Sequence, residues 1–287
     1  MSRTIVVLGY NRPDCLRRCL AALARCRGVG KFDLRIFIDG GKDSMSRDAA
    51  NFIPEKEMPN SWDVYKASEN YGINRHNKYA VDRTLEEIPQ ADFVVLLEDD
   101  CVLTPDALEL ALNFQGLMVS REWTADPRHY PYHYASLGDP DYRKSPPTGD
   151  GYGKILETQG LYTSGWCFTR AGWSVIRERW NRLLRTQIGW DYSLSYTAWE
   201  QKWRSLAPLV SRAQNIGRVG AHSTAEFFDA NIAESTFSDG RKSDHLKLVH
   251  VVDVTSTPPW IADEVAAKED MMASVRAALE KHHDICR

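Results

Sequence analysis

Residues Phe93-Val94-Val95-Leu96-Leu97 form an unbroken apolar run that ends, with no spacer, in Glu98-Asp99-Asp100. Five consecutive apolar residues suit a strand buried on both faces, the kind found inside a parallel sheet. The three carboxylates then fall at the carboxyl edge of that sheet. Like charges that close repel one another and raise their pKa values unless a cation sits among them. A divalent metal is the economical cation, and oxygen ligands suit Mg²⁺ or Mn²⁺. The bland alternative is a solvated acidic turn ahead of a helix that starts at Thr104-Pro105-Asp106.

The residues before this run decide between the two. A short strand, Ile5 to Leu8, leads into Gly9-Tyr10-Asn11-Arg12-Pro13, and Pro13 suits the first turn of a helix. That helix carries Leu16, Cys19, Leu20, Leu23 and Cys26 on one face and stops near Gly28. Strands are expected at Asp33 to Ile38 and Asp63 to Lys66. A helix follows from about Arg75 to Ile88, with Tyr79, Ala80, Val81 and Leu85 inward. The order β-α-β-β-α-β implies a largely parallel sheet. In such sheets ligands sit at the carboxyl ends of the strands. Three of those ends carry polar turns: Asn11-Arg12, Asp39-Gly40-Gly41 and Glu98-Asp99-Asp100. Their convergence favours the metal.

Farther on, helices are expected at Pro105 to Ser120 and after Thr169, the second with Trp173, Ile176 and Trp180 inward and Thr169 as its cap. Residues 124–152 form a long excursion with one strand near Tyr132 to Ser136, and long irregular loops are often functional. Strands are read at Leu161 to Thr169, Pro208 to Ile216 and Leu246 to Val254. Helices are read after Gly189-Trp190-Asp191 and over Ala262 to Lys281. A net charge of -3 gives no case for nucleic acid or an anionic membrane. No apolar run is long enough to span a bilayer, and the N-terminus has no signal-peptide pattern. Six cysteines show no metal-ligand spacing and read as buried, reduced thiols. The expectation is a soluble, cytoplasmic protein.

Six islands in fixed order resemble a GT-A-fold nucleotide-sugar glycosyltransferase, and most of all the N-acetylglucosaminyltransferase I family, glycosyltransferase family 13. They are Gly9-Tyr10-Asn11-Arg12-Pro13, Phe37-Ile38-Asp39-Gly40-Gly41, Asn74-Arg75-His76-Asn77-Lys78, Glu98-Asp99-Asp100, Gly189-Trp190-Asp191 and Gly220 to Phe228. The resemblance covers roughly residues 4 to 230. It implies an α/β, Rossmann-like GT-A domain with a mostly parallel central sheet flanked by helices. A nucleotide-binding half would span about 1–104, an acceptor and catalytic half about 105–240, and a C-terminal strand and helix about 241–287.

The resemblance also implies roles. Arg12 would contact the donor diphosphate, Asp39 would read the uracil ring, and His76 would lie near the base. Asp100 would be the direct ligand of Mn²⁺ (or Mg²⁺), with Glu98 and Asp99 facing the sugar, the ribose or metal-bound water. Trp190 and Ser223 would complete the donor side, and Asp191 would be the catalytic base. Where the family shows a second acid after that base, this chain has Tyr192, and Glu200 is the weaker candidate. The function implied is inverting transfer of a sugar, GlcNAc, from a UDP-sugar to an acceptor hydroxyl, with the acceptor unassigned. Two alternatives stand beside it. A sugar-phosphate nucleotidyltransferase would need a Gly-rich, basic loop after strand one, where this chain has Asn11-Arg12-Pro13. A non-catalytic nucleotide- or carbohydrate-binding module could use the nine tryptophans and twelve tyrosines for stacking.

Overall fold

The computed structural model describes residues 2–42, 44, 60–120, 132–138, 153–158, 165–183, 190–191, 194, 197–198, 201, 203–218, 224–231 and 251–252. The elements in order are β1 (Ser2–Gly9), α1 (Pro13–Ala24), β2 (Asp33–Ile38), β3 (Trp62–Lys66), α2 (Gly72–Glu87), β4 (Ala91–Glu98), β5 (Cys101–Leu103) and α3 (Ala107–Ser120). They continue as β6 (Tyr134–Ser136), β7 (Ile155–Thr158), β8 (Trp166–Thr169), α4 (Arg170–Leu183), β9 (Ser205–Pro208), β10 (Ala213–Asn215), α5 (Ala225–Asn231) and β11 (Val251–Val252).

Among the described residues nine strands form one sheet, in the order β11-β7-β9-β6-β8-β4-β1-β2-β3. The half from β3 to β4 is parallel throughout. Beyond β4 the sheet is mixed, because β8 runs antiparallel to both β4 and β6. The expected α/β architecture, a large mostly parallel sheet flanked by helices, is therefore present.

The apolar run is buried on both faces, and its residues alternate between them. Phe93, Val95 and Leu97 join Leu16, Leu20 and Leu23 of α1 and Phe114 of α3 in one core. Val94 and Leu96 join Ala80 and Val81 of α2 and Trp173 and Trp180 of α4 in the other. Each such side chain contributes about 1.5–3 kcal/mol through burial. This two-sided demand is why β4 reads as a continuous apolar stretch rather than an alternating one.

Several boundaries differ from the sequence reading for identifiable reasons. The helix expected from Arg75 starts at Gly72 instead. Its first N–H groups are capped by the carboxylate of Asp39, which accepts from Tyr71 N (2.8 Å) and Gly72 N (3.0 Å). A cap delivered from another strand leaves no local mark. The single strand expected over Pro208 to Ile216 is two strands. β9 ends at Pro208, and β10 pairs antiparallel with β5 in a separate two-stranded ribbon. The buried Arg212 turns between them. Thr169 does cap α4, accepting from Gly172 N at 3.0 Å. Most of the expected strand at Leu246 to Val254, the C-terminal helix and residues 161–164 lie outside the described residues.

Beside β6, His133 is buried and stacks on Trp203, with centroids 4.9 Å apart. Burial pushes its pKa down to about 4 from an ordinary 6.5. The unfolded chain then binds more protons between those values. Stability is therefore lost as pH falls through that window, by on the order of 3 kcal/mol in full. His133→Phe should bring the urea midpoints at neutral pH and at about pH 5 closer together than in wild type. An undiminished gap would show that His133 does not set this dependence.

Candidate active site

The register of the parallel strands assembles the site. Leu8 of β1 pairs with both Phe37 of β2 and Glu98 of β4, and Gly9 pairs with Ile38. The three carboxyl ends are thus level, and each turn that leaves them enters the same space. Arg12, just before α1, places its guanidinium on the acidic triplet. Nη1 donates to Asp100 Oδ2 at 2.7 Å, and Nη2 donates to Asp99 Oδ1 in a very short bond. Burial works against the arginine's charge, but Asp100 and then Asp99 outweigh it and hold its pKa above the ordinary value.

The carboxylates feel the same crowding. Burial, opposed by Arg12 and reinforced by Asp100, pushes Asp99 up to about 6, while a backbone N–H bond from Tyr10 pulls it down. The Glu98 pKa is raised well above the usual carboxylate range by burial, then by Asp100, Asp99 and Asp191. The charge of Asp191 thus reaches Glu98, although 91 residues separate Asp191 from Asp100 in the sequence (191 − 100).

Aromatic packing explains how Asp191 is held. Leu96 of β4 pairs with Trp166, which opens β8. Trp190 lies between Trp166 (5.7 Å, 30°) and Trp180 (5.2 Å, 24°) and is only 4% exposed. Trp180 is anchored in turn by its indole N–H, which donates to Asn74 O at 2.9 Å. The ring of Trp190 is therefore a core side chain, and Asp191 is the next residue along.

The remaining described candidates, Asp39 and His76, are about as buried as the two aspartates of the triplet. Asp39 is buried and already accepts N–H bonds from Gly40, Tyr71 and Gly72. Gly40 is required there. A Cβ at this position would lie 2.4–2.6 Å from backbone atoms of Ala67 and Glu69. His76 is buried, and its Nε2 lies 3.1 Å from Phe37 O. A carbonyl accepts only from an N–H, so the proton is on Nε2 and Nδ1 is an acceptor. Nδ1 has no hydrogen-bond partner and sits 3.8 Å from Asp39 Oδ1. Burial lowers the His76 pKa, against the pull of Phe37 O and Asp39, which keeps the ring neutral. Ser223 and Glu200 lie outside the described residues.

One site residue has no signal in the sequence. The turn after β10 closes over the triplet, with Ile216 N donating to Asp100 O at 2.8 Å. Gly217 follows, buried. A Cβ on it would come within 2.1 Å of Asp100 Oδ2 and 2.8 Å of Arg12 Nη1. Both atoms end flexible side chains, so Gly217→Ala should fold but swing Asp100 and Arg12 out of place. We expect an almost unchanged melting temperature and about a 10²-fold loss of activity. Wild-type activity in this variant would remove the close approach from the site.

Among the described residues no three or more His, Cys, Asp or Glu side chains form a ready cage for a metal. The donor set still fits a hard divalent ion. It consists of carboxylate oxygens with mutual repulsion to relieve. Mg²⁺-type sites commonly use one or two carboxylates and complete their shell with substrate phosphates and water.

No family model matches the chain. Among solved structures, 72% of it aligns with 54% of the mannosyltransferase PcManGT from Pyrobaculum calidifontis in complex with GDP-Man and Mn²⁺, at 16% identity and a TM-score of 0.44. S. aureus TarS 1-349 in complex with UDP-GlcNAc aligns over 77% of this chain and 60% of its own, at 12% identity and a TM-score of 0.47. A nucleotide-diphospho-sugar transferase from Desulfovibrio desulfuricans G20 aligns over 72% and 80%, at 16% identity and a TM-score of 0.37. The chain thus spans little more than half the length of the first two proteins.

Proposed function

We propose that this chain is an inverting, metal-dependent glycosyltransferase that moves a sugar, GlcNAc, from a UDP-sugar to an acceptor hydroxyl. The observation that supports it most is the meeting of Arg12, the acidic triplet and Asp191 at the carboxyl ends of β1 and β4. A donor diphosphate needs cations on one side of the scissile bond. An attacking hydroxyl needs a carboxylate on the other. This site offers both kinds of group at the edge of one sheet.

In this reading Arg12 binds the diphosphate, and the neighbouring N-terminus of α1 adds its own attraction for anions. Asp100 would hold Mn²⁺ or Mg²⁺, with Asp99 and Glu98 beside it. The bound ion would supply Lewis-acid neutralisation of the departing diphosphate. Asp191 takes the proton of the acceptor hydroxyl as that oxygen attacks the anomeric carbon, so no covalent enzyme intermediate is required. Trp190 fixes where Asp191 stands. Asp39 would read the N3–H of uracil, with His76 near the base. Ser223 would contact a phosphate. One GT-A domain spanning 1–287, a place in glycosyltransferase family 13 and a cytoplasmic setting belong to the same proposal. The five free cysteines among the described residues, Cys15, Cys19, Cys26, Cys101 and Cys167, suit that setting. None of the described helices is long and apolar enough to cross a membrane.

The test is release of UDP from UDP-GlcNAc, with and without Mn²⁺, set against GDP-mannose as donor. We expect Mn²⁺-dependent turnover of the UDP-sugar that chelation and Asp100→Ala abolish. Full activity in Asp100→Ala would sink the metal assignment. Pyrophosphate release from UTP and a sugar 1-phosphate would instead favour a nucleotidyltransferase.

A further inference from the structure

Arg218 follows Gly217 directly, and Gly217 packs against Asp100 and Arg12. The side chain of Arg218 therefore starts one residue from that contact. It does not turn toward the triplet. Nε donates to Asp229 Oδ1 at 3.0 Å and Nη2 to Asp229 Oδ2 at 2.6 Å, a two-pronged bond to helix α5. Both side chains are solvent-exposed, at 61% and 49%. An exposed ion pair of this kind is weak and exchanges easily. The triplet and Asp191 bring four carboxylates to the site, and Arg12 is the cation bonded to two of them. A nucleoside diphosphate would add further negative charge to these carboxylates, against which Arg12 is the bonded cation among the described residues. A planar, two-pronged guanidinium suits phosphate oxygens as well as it suits a carboxylate.

We propose that Arg218 is a second diphosphate-binding residue, held by Asp229 in the free protein and transferred to the donor's phosphates on binding. This rests on the donor reading above. It adds a specific competitor, since Asp229 and the diphosphate contend for one guanidinium. Opening the pair costs donor affinity, and α5 is released from the turn after β10 when the donor arrives.

Calorimetric titration with UDP and with uridine, in the presence of Mn²⁺, tests it on the wild type and three variants of matched thermal stability. Arg218→Ala should weaken UDP binding about 10-fold or more, the share of a charged hydrogen bond, and leave uridine binding unchanged. Asp229→Ala should act in the opposite direction and tighten UDP binding about two- to five-fold. Arg218→Lys should recover part of the loss. If Asp229→Ala weakens UDP binding or leaves it unchanged, the pair is a structural strut and the exchange is overturned. An unchanged UDP affinity in Arg218→Ala, or an equal loss for uridine, also overturns it. A wild-type protein that binds uridine no more weakly than UDP has no diphosphate site, and the donor reading falls with the inference.

Discussion

Asp191→Asn should lower the turnover number for sugar transfer by about 10²–10⁴-fold, the usual share of a positioned general base. UDP affinity in the presence of Mn²⁺ should stay at the wild-type level. The substitution keeps shape and removes only the ability to accept a proton. Trp190, clasped between Trp166 and Trp180, continues to hold the residue in place. The variant also removes one of the charges that raise the Glu98 pKa. Relief of that repulsion should leave the metal-free protein no less stable than wild type. Asp100→Asn should behave differently and lose metal response and turnover together. Steady-state rates together with UDP titrations separate the two patterns. A full rate in Asp191→Asn would remove it as the base. Loss of UDP binding would mean that it holds the donor instead.

How much of this was legible depended on whether the cause was local. The apolar run of β4 and the helices with 3.6-residue apolar spacing carry their cores in their own composition. β2 was readable to its ends, Asp33 and Ile38. The start of α2 was not, because its cap is Asp39, 33 residues upstream of Gly72. Nor was the direction of β8. Trp166-Cys167-Phe168 is equally apolar whether it runs with β4 or against it. Short strands such as β5 and β10 have no period to read. At the site the acidic triplet announced itself, but its partner did not. Arg12 is 88 residues from Asp100; the strand-end pattern put Asn11-Arg12 on the same edge, but its role as a phosphate contact came only from the family resemblance. Gly217 had no signal, since a glycine in a polar turn does not reveal what presses against it. Trp190 was picked out by the acid that follows it. Its own ring is enclosed by other aromatics, which a linear pattern cannot show.

Arg212→Met should destabilise the protein by ~3–5 kcal/mol, the usual result of leaving one member of a buried ion pair alone. Arg212 and Asp106 are both fully buried, and Arg212 Nε donates to Asp106 Oδ2 at 3.0 Å. Asp106 Oδ1 also accepts from Thr104 Oγ1 at 2.6 Å. The backbone of Arg212 adds two ties. Its N–H donates to Leu137 O (2.8 Å), and its carbonyl accepts from Thr104 N (2.9 Å). The residue thus joins the turn after β6, the β5–β10 ribbon and the start of α3. That ribbon carries Ile216 and Gly217 onto Asp100, so a loosened brace should also weaken metal binding. The double variant Asp106→Leu, Arg212→Met should recover most of the lost stability, because burying a matched pair roughly balances its own desolvation. Urea midpoints for the singles and the double decide this. A single variant with an unshifted midpoint would show that the pair braces nothing. A double variant as unstable as the worse single would place the cost in shape rather than in charge.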